Sequence, residues 1–150
     1  MSRSAISPYW RERLIRQLVY LDENKYDLEK SWIAEPSMEK NEWISFIRKY
    51  EERIESLVAG EYRDGIDSCV YIGSRVRVRF DEDGDQELFT VVFPEEVRLE
   101  HNCISFMSPL GMGLVFARQN ETVLIRSPQG TYTVTILEHQ HEEEHHIDPG

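Results

Sequence analysis

The segment GSRVRVRF, residues 73–80, carries the clearest secondary-structure pattern in the second half of the chain. Three arginines alternate there with apolar side chains, and this period of two is typical of a β-strand with one buried face. The turn around Asp83-Gly84 and the apolar run 88–93 predict an antiparallel partner strand. The sequence therefore predicts a β-hairpin with one polar face.

The segments that follow predict a sheet with one short helix. Residues 103–107, 122–126 and 131–137 are rich in β-forming residues, and Ser127-Pro128-Gln129-Gly130 predicts a turn between the last two. Ser108-Pro109 predicts a helix start, because serine caps free amides and proline suits the first helical position. We expect an antiparallel sheet carrying one short helix.

The first sixty residues predict two long helices. Ser7-Pro8 gives the same helix-start signal, and Glu35-Pro36-Ser37 ends the first helix and begins the second. Apolar residues at four-three heptad spacing give each helix one narrow seam. The seam residues are Leu14, Leu18, Leu21, Leu28 and Trp32, then Trp43, Ile47, Tyr50, Ile54 and Leu57. Because the connection is short, the helices must run antiparallel and form a coiled coil.

These patterns predict an α+β fold in four parts. We expect an antiparallel coiled-coil finger over 1–60, a linker over 61–69, a β domain over 70–139 and an acidic, histidine-rich tail over 140–150. The chain from Glu138 onward has few core residues and is expected to fray. A first helix of about 27 residues would extend about 40 Å. The alternative is a hairpin that folds back onto the β domain.

Charge and hydropathy restrict the classes of function. The net charge of −11 over 150 residues argues against general nucleic-acid binding. No apolar run approaches the ~20 residues that span a bilayer, and the N-terminus lacks the apolar core of a secretory signal. We expect no membrane partner and a cytoplasmic protein, in which Cys69 and Cys103 remain free thiols.

Three segments in order resemble a known family. GSRVRVRF at 73–80, CISFMSPLGMGLVFA at 103–117 and ETVLIRSPQGTYTVTILEH at 121–139 are similar to the C-terminal domain of the bacterial Gre (GreA/GreB) transcription elongation factors. The resemblance implies an FKBP-like β domain preceded by a coiled coil. It implies bacterial RNA polymerase as the partner, with nascent RNA or DNA contacted only in that complex. Shorter-finger relatives such as Rnk share the β domain.

In that family the β domain docks at the polymerase secondary channel and the finger enters it. Members that stimulate transcript cleavage carry acidic residues at the finger tip, which help the polymerase hold a second Mg²⁺ and activate water. The tip acids here are Glu35, Glu39 and Glu42, but no aspartate accompanies them and Pro36 stands where the family has no proline. We therefore expect occupancy of the channel rather than cleavage, and glutamates that only solubilise the turn are the competing interpretation.

The resemblance also assigns contact residues. Docking falls to five residues of the short helix and its cap: Ser108, Pro109, Leu110, Gly111 and Leu114. Apart from the resemblance, three guanidiniums on one strand face would make a compact anion site, and the candidate basic contacts with polymerase or phosphates are Arg11, Arg16, Arg75, Arg77 and Arg79. The competing interpretation of the sheet arginines is a solvated face paired with nearby acids. No metal or cofactor of its own is expected, only Mg²⁺ shared with the polymerase.

Two other classes of function stay open. An FKBP-like fold suggests a prolyl isomerase by analogy, which requires an aromatic pocket. Its candidates, which also fit a plain core, are Phe80, Phe89, Phe93, Phe106 and Tyr132. A coiled-coil adaptor would pair its seam with another chain, whereas a Gre-type factor is expected to be a monomer and not an enzyme. His101 and Cys103 suggest a thiolate–imidazole pair that lacks a third orienting group.

Overall fold

The computed structural model describes residues 7–34, 40–61 and 68–141. The chain divides into two compact units with the boundary between residues 66 and 67. The first unit is helical, and the second is a five-stranded sheet with a short helix. Cys69 and Val70 are buried, so the end of the predicted 61–69 linker belongs to the core of the second unit.

The described residues of the first unit form three helices. Helix α1 spans Pro8–Glu23, α2 spans Lys25–Ala34 and α3 spans Lys40–Val58. The predicted cap is confirmed, since the Ser7 side chain accepts a hydrogen bond from the Trp10 amide at 3.2 Å. The prediction of one continuous first helix is wrong. Asn24 leaves helical geometry at φ −110° and ψ 16°. Its side-chain amide donates a hydrogen bond to the Tyr20 carbonyl at 2.9 Å, and such local bonds to the backbone compete with the helix.

Helices α1 and α2 run antiparallel to α3. Polar contacts between described residues of the two segments include Arg11 Nε to Val58 O at 3.3 Å, Tyr50 Oη to Gln17 Oε1 at 2.6 Å, and Lys40 Nζ to Glu29 Oε2 at 3.1 Å. The residue numbers rise along the first segment while they fall along α3. The predicted hairpin direction is therefore confirmed.

The seam of α3 is confirmed at every position, because Trp43, Ile47, Tyr50, Ile54 and Leu57 are all buried. The seam of α1 differs from the prediction. Its buried residues are Trp10, Leu14, Gln17 and Leu21, and Leu28 of α2 is also buried. Leu18 is only half-buried, since the hydrogen bond to Tyr50 lets Gln17 occupy the seam position instead. The Trp32 side chain lies outside the described residues.

The second unit is a sheet of strand order β3-β2-β1-β5-β4. Its elements are β1 Ser74–Phe80, β2 Gln86–Val92, β3 Cys103–Ser105, α4 Pro109–Leu114, β4 Thr122–Ser127 and β5 Gly130–His141. The prediction of an all-antiparallel sheet is wrong for one pair, because β3 runs parallel to β2 with Thr90 beside Cys103. Two 3-10 turns within residues 94–101 connect the end of β2 to the start of β3, so that β3 can run in the same direction as β2.

Strand β5 is longer than predicted. It continues to His141, which pairs with Ser74 at the start of β1, so residues predicted to fray from Glu138 onward are in the sheet. The Ser74 hydroxyl lies 3.0 Å from His141 Nδ1, and both residues are buried. The rest of the predicted tail, 142–150, lies outside the described residues.

The core of the second unit lies on one face of the sheet. Strand β1 alternates buried Val76 and Val78 with its arginines, as the sequence predicts. Fully buried Ile125, Val134 and Phe106 complete that face with α4 packed against it. The predicted mixture of helices and a mainly antiparallel sheet is confirmed. Within the described ranges, no helix is both long and apolar enough to cross a membrane.

Candidate functional site

The turn between β3 and α4 is held by two serines. The Ser108 hydroxyl donates to the Ser105 carbonyl at 2.7 Å and accepts from the Gly111 amide at 3.1 Å. The Ser105 hydroxyl accepts from the Met107 amide at 2.9 Å. Pro109 occupies the first helical position, where its missing N–H costs nothing. The predicted docking residues therefore begin at a rigid turn.

Two glycines let α4 approach the sheet closely. A Cβ at Gly111 would overlap the Ser105 carbonyl oxygen, and a Cβ at Gly113 would overlap Ile125 Cδ1. The side chain of Leu114 is completely buried. Gly111 and Leu114 therefore hold the helix in place and offer no contact surface of their own.

The remaining predicted docking residues keep accessible surface. Ser108, Pro109 and Leu110 are each half-buried on the turn and the first turn of α4. The structure thus brings all five predicted docking residues together but leaves three of them available to a partner. Their role in docking stays a prediction.

Only one of the predicted tip acids can be located. Glu35 and Glu39 lie outside the described residues. Glu42 is exposed in the first turn of α3, where a carboxylate is also favoured by the helix dipole. Lys40 and Glu29 form an ion pair between α3 and α2 close to it in sequence.

The sheet arginines are partly matched by acids. Arg77 Nε lies 3.3 Å from Glu138 Oε2, and Arg79 Nη2 lies 3.4 Å from Asp81 Oδ1. Arg75 is exposed on the same strand. These ion pairs favour the interpretation of the arginine-bearing face of β1 as a solvated polar surface.

Asp81 anchors the outer face of the sheet at the end of β1. Its two carboxylate oxygens accept from Thr133 at 2.8 Å and from Thr135 at 2.9 Å. These two bonds, and then Arg79, hold the pKa of Asp81 below its ordinary value of 3.8, against a smaller opposing effect of desolvation. The sequence showed an acidic turn but not this cross-strand network.

The helical arginines serve the hairpin. Arg11 donates to the carbonyl of Val58, the last residue of α3, which is a favourable position for a cation near a helix C-terminus. Arg16 pairs with Glu12 one turn away at 2.8 Å, and both side chains are exposed. Both predicted basic contacts on α1 are exposed.

The aromatic side chains do not form one pocket. Phe80 contacts Phe89 and Tyr132 at ring distances of 6.3 and 6.0 Å, whereas Phe93 contacts Phe106 at 5.7 Å. Among the described residues no ring contact joins these two groups. This division argues against the single aromatic pocket that a prolyl isomerase requires.

The suggested pair of His101 and Cys103 is also not formed. His101 lies in a 3-10 turn rather than on the strand, and the thiol contacts the backbone carbonyl of His101 at 3.9 Å. Both cysteines are free, as predicted. In the described ranges no three His, Cys, Asp or Glu side chains cluster as metal ligands would.

The chain thus consists of a helical unit followed by a β unit, and the β3–α4 turn of the β unit is rigid and partly exposed. The family model described as "Transcription elongation factor, GreA/GreB, C-term" matches residues 66–140, half of the chain. These residues include β1 to β4, α4 and nearly all of β5. The chain belongs to the GreA/GreB family of transcription elongation factors.

Individual relatives agree with this family. Transcription elongation factor GreB of Pseudomonas aeruginosa is 38% identical over 96 residues, covering 63% of this chain and 54% of that protein. Transcription elongation factor GreA of Roseiflexus castenholzii is 38% identical over 74 residues, covering 49% and 47%. The chain thus spans about half the length of these curated relatives.

A solved structure shares the fold. The structure titled "Prokaryotic transcription elongation factor GreA/GreB from Nitrosomonas europaea" is similar with a TM-score of 0.55 and 22% identity. The similarity covers 91% of this chain and 98% of that one. At this identity the likeness supports the fold alone.

Proposed function

We propose that this protein binds bacterial RNA polymerase and regulates transcription elongation. In this proposal the β domain docks at the secondary channel and the helical hairpin enters the channel as a coiled coil. The observation that carries the proposal is the family match over residues 66–140. Such a regulator works in the cytoplasm as a monomer and has no catalytic activity without the polymerase.

The β3–α4 turn supports the docking step. Ser108, Pro109 and Leu110 keep accessible surface, and the serine bonds and close glycine contacts hold them in one geometry. A rigid turn loses little conformational entropy when a partner binds, so more of the contact energy appears as affinity. The description of this unit as FKBP-like rests on the family resemblance.

The hairpin seam supports the coiled-coil part of the proposal. Heptad positions of α1 and α3 are buried, and the polar contacts between them fix an antiparallel direction. Because this seam is filled within the chain, it is not free for the second chain that a coiled-coil adaptor would bind. The arginines at 11, 16 and 75 are then candidates for contacts with polymerase or nucleic-acid phosphates.

For the finger tip we propose occupancy of the channel without cleavage. Glu42 is exposed at the start of α3, and with Glu35 and Glu39 it offers carboxylates but no aspartate. The alternative within the same family is stimulated cleavage, in which the three glutamates help the polymerase hold Mg²⁺. In either case the metal belongs to the polymerase active site.

Binding to bacterial core polymerase tests the proposal. We expect the protein to compete with a fluorescently labelled Gre factor, and Leu110→Glu to weaken that competition at least tenfold. Leu124→Glu is the matched control, since Leu124 is a 52% exposed leucine of β4 outside the turn. This variant should change the competition less than twofold. Circular dichroism checks that both variants fold. No competition by the wild-type protein, or equal effects of the two variants, would contradict the proposal.

A further inference from the structure

A pocket of about 400 Å³ lies between the β1–β2 turn and the β4–β5 turn. Its lining includes two aromatic residues, two acids and polar residues of β4 and β5: Phe80, Tyr132, Glu82, Asp83, Ser127 and Thr133. None of its residues belongs to α4 or to the finger tip. The pocket is therefore distinct from the contact residues considered above.

One wall of the pocket is aromatic. The rings of Phe80 and Tyr132 lie 6.0 Å apart and are inclined by 34°, and buried Phe89 supports Phe80 edge-on at 6.3 Å. Phe80 and Tyr132 are only half-buried themselves. The face of an aromatic ring carries the negative part of its quadrupole, which attracts cations.

The other wall is acidic and its charge is not neutralised. Glu82 and Asp83 are exposed, and no lysine or arginine in the described part of the chain forms an ion pair with either. This differs from neighbouring Asp81, which Arg79 and two threonines already engage. Asp83 is positioned by a 3.0 Å hydrogen bond from the Asp85 amide.

We propose that this pocket binds an arginine side chain of a partner protein. The planar guanidinium would lie against the rings of Phe80 and Tyr132, and Glu82 and Asp83 would neutralise its charge. Guanidinium is favoured over ammonium because it stacks on aromatic faces and is more weakly hydrated. The two unneutralised carboxylates disfavour an anionic ligand. This arginine pocket requires no part of the polymerase proposal.

Peptide titration of the isotope-labelled full chain, followed by amide NMR shifts, tests the pocket. The probe is acetyl-Gly-Arg-Gly-amide, and the matched peptides carry lysine or glutamate in place of arginine. We expect saturable shifts at residues 80–84 and 127–133 with the arginine peptide, at least threefold weaker binding of the lysine peptide, and no response to glutamate. Absence of saturable shifts there, or equal affinity for lysine, would overturn the proposal.

Variants separate the two walls. Tyr132→Leu removes the ring but keeps an apolar side chain, and the double variant Glu82→Gln with Asp83→Asn removes the charge but keeps hydrogen-bonding groups. Each should weaken arginine-peptide binding at least fivefold. Glu100→Gln, an exposed acid outside the pocket, is the control and should leave affinity unchanged. If the variants of the two walls bind the arginine peptide as tightly as the control does, and their amide spectra are those of a folded protein, the arginine-pocket proposal is wrong.

Discussion

The Tyr50 hydroxyl donates a 2.6 Å hydrogen bond to Gln17 Oε1 across the seam between α1 and α3, and both side chains are buried. An apolar seam tolerates a shift of one helix along the other, whereas a buried polar pair is satisfied in one register only. This bond therefore specifies how the two helices align. Its loss is costly because a buried polar group would then lack this partner.

Removing the hydroxyl should destabilise the hairpin. We expect Tyr50→Phe to lower the free energy of unfolding of the helical unit by about 1–3 kcal/mol. Urea denaturation followed by helical circular dichroism measures this. Tyr26→Phe, at a 71% exposed position on α2, is the control and should stay within about 0.5 kcal/mol of wild type.

A double-mutant cycle tests whether the effect belongs to the pair. Adding Gln17→Leu to Tyr50→Phe replaces both polar partners with apolar groups, so the double variant should be more stable than the sum of the single effects predicts. Simple additivity would show that the two side chains contribute independently.

The same pair explains which helical predictions succeeded. All five seam residues of α3 were predictable because they are apolar or aromatic at regular heptad spacing. Hydrophobicity alone assigned Leu18 to the α1 seam, but the hydrogen bond to Tyr50 makes Gln17 a seam residue. A polar residue that gains its partner only in the fold is invisible to a local pattern.

The sheet shows a second limit of local pattern. The alternation in β1 and the two turns were predictable from adjacent residues. The end of β5 was not, because a bulge opposite Arg77 and Val78 breaks the alternation before His141 pairs with Ser74. The parallel β2–β3 pair depends equally on a long-range contact. Of the candidate site, the sequence indicated the residues of the β3–α4 turn but not which of them stay exposed.

The two glycines of α4 should differ in their response to alanine. Gly111→Ala places a methyl group against the rigid Ser105 carbonyl, and we expect a loss of about 1–3 kcal/mol in the stability of the β domain. Gly113→Ala meets only the end of the Ile125 side chain, which can rotate, and alanine gains helix propensity. Chemical denaturation should therefore rank Gly113→Ala as the more stable variant. The reverse order would contradict the packing described for α4.

The network around Asp81 predicts a pH effect of defined sign. Since the folded pKa of Asp81 lies below its ordinary value of 3.8, its contribution to stability is present above about pH 4 and is lost as the pH falls through the folded pKa. Thr133→Val should raise the pKa of Asp81, which carboxyl NMR titration measures. Thr131→Val, two residues before Thr133 on β5, is the control and should leave the pKa of Asp81 unchanged.

The acidic tip predicts the outcome of a transcription assay. In arrested elongation complexes with Mg²⁺, we expect the protein to leave transcripts at full length and to slow the cleavage stimulated by a separate Gre factor. The reason is that the proposed tip residues Glu35, Glu39 and Glu42 include no aspartate, which the family resemblance assigns to tips that stimulate cleavage. Labelled transcripts resolved on a gel give the result. Rapid shortening that disappears in a Glu39→Ala/Glu42→Ala variant would instead establish cleavage stimulation.

The contact between Ser74 and His141 predicts how the end of β5 is held. The Ser74 hydroxyl lies 3.0 Å from His141 Nδ1 and also accepts from the Tyr71 amide at 2.9 Å, and all three residues are buried. Ser74→Ala removes both bonds, so we expect a loss of about 1–3 kcal/mol and faster hydrogen exchange of the amides at 139–141. Ser127→Ala, in the exposed β4–β5 turn, loses one bond to the Gly130 carbonyl and is the control. If exchange at 139–141 is equally slow in both variants, backbone pairing with β1 holds the strand end without the serine.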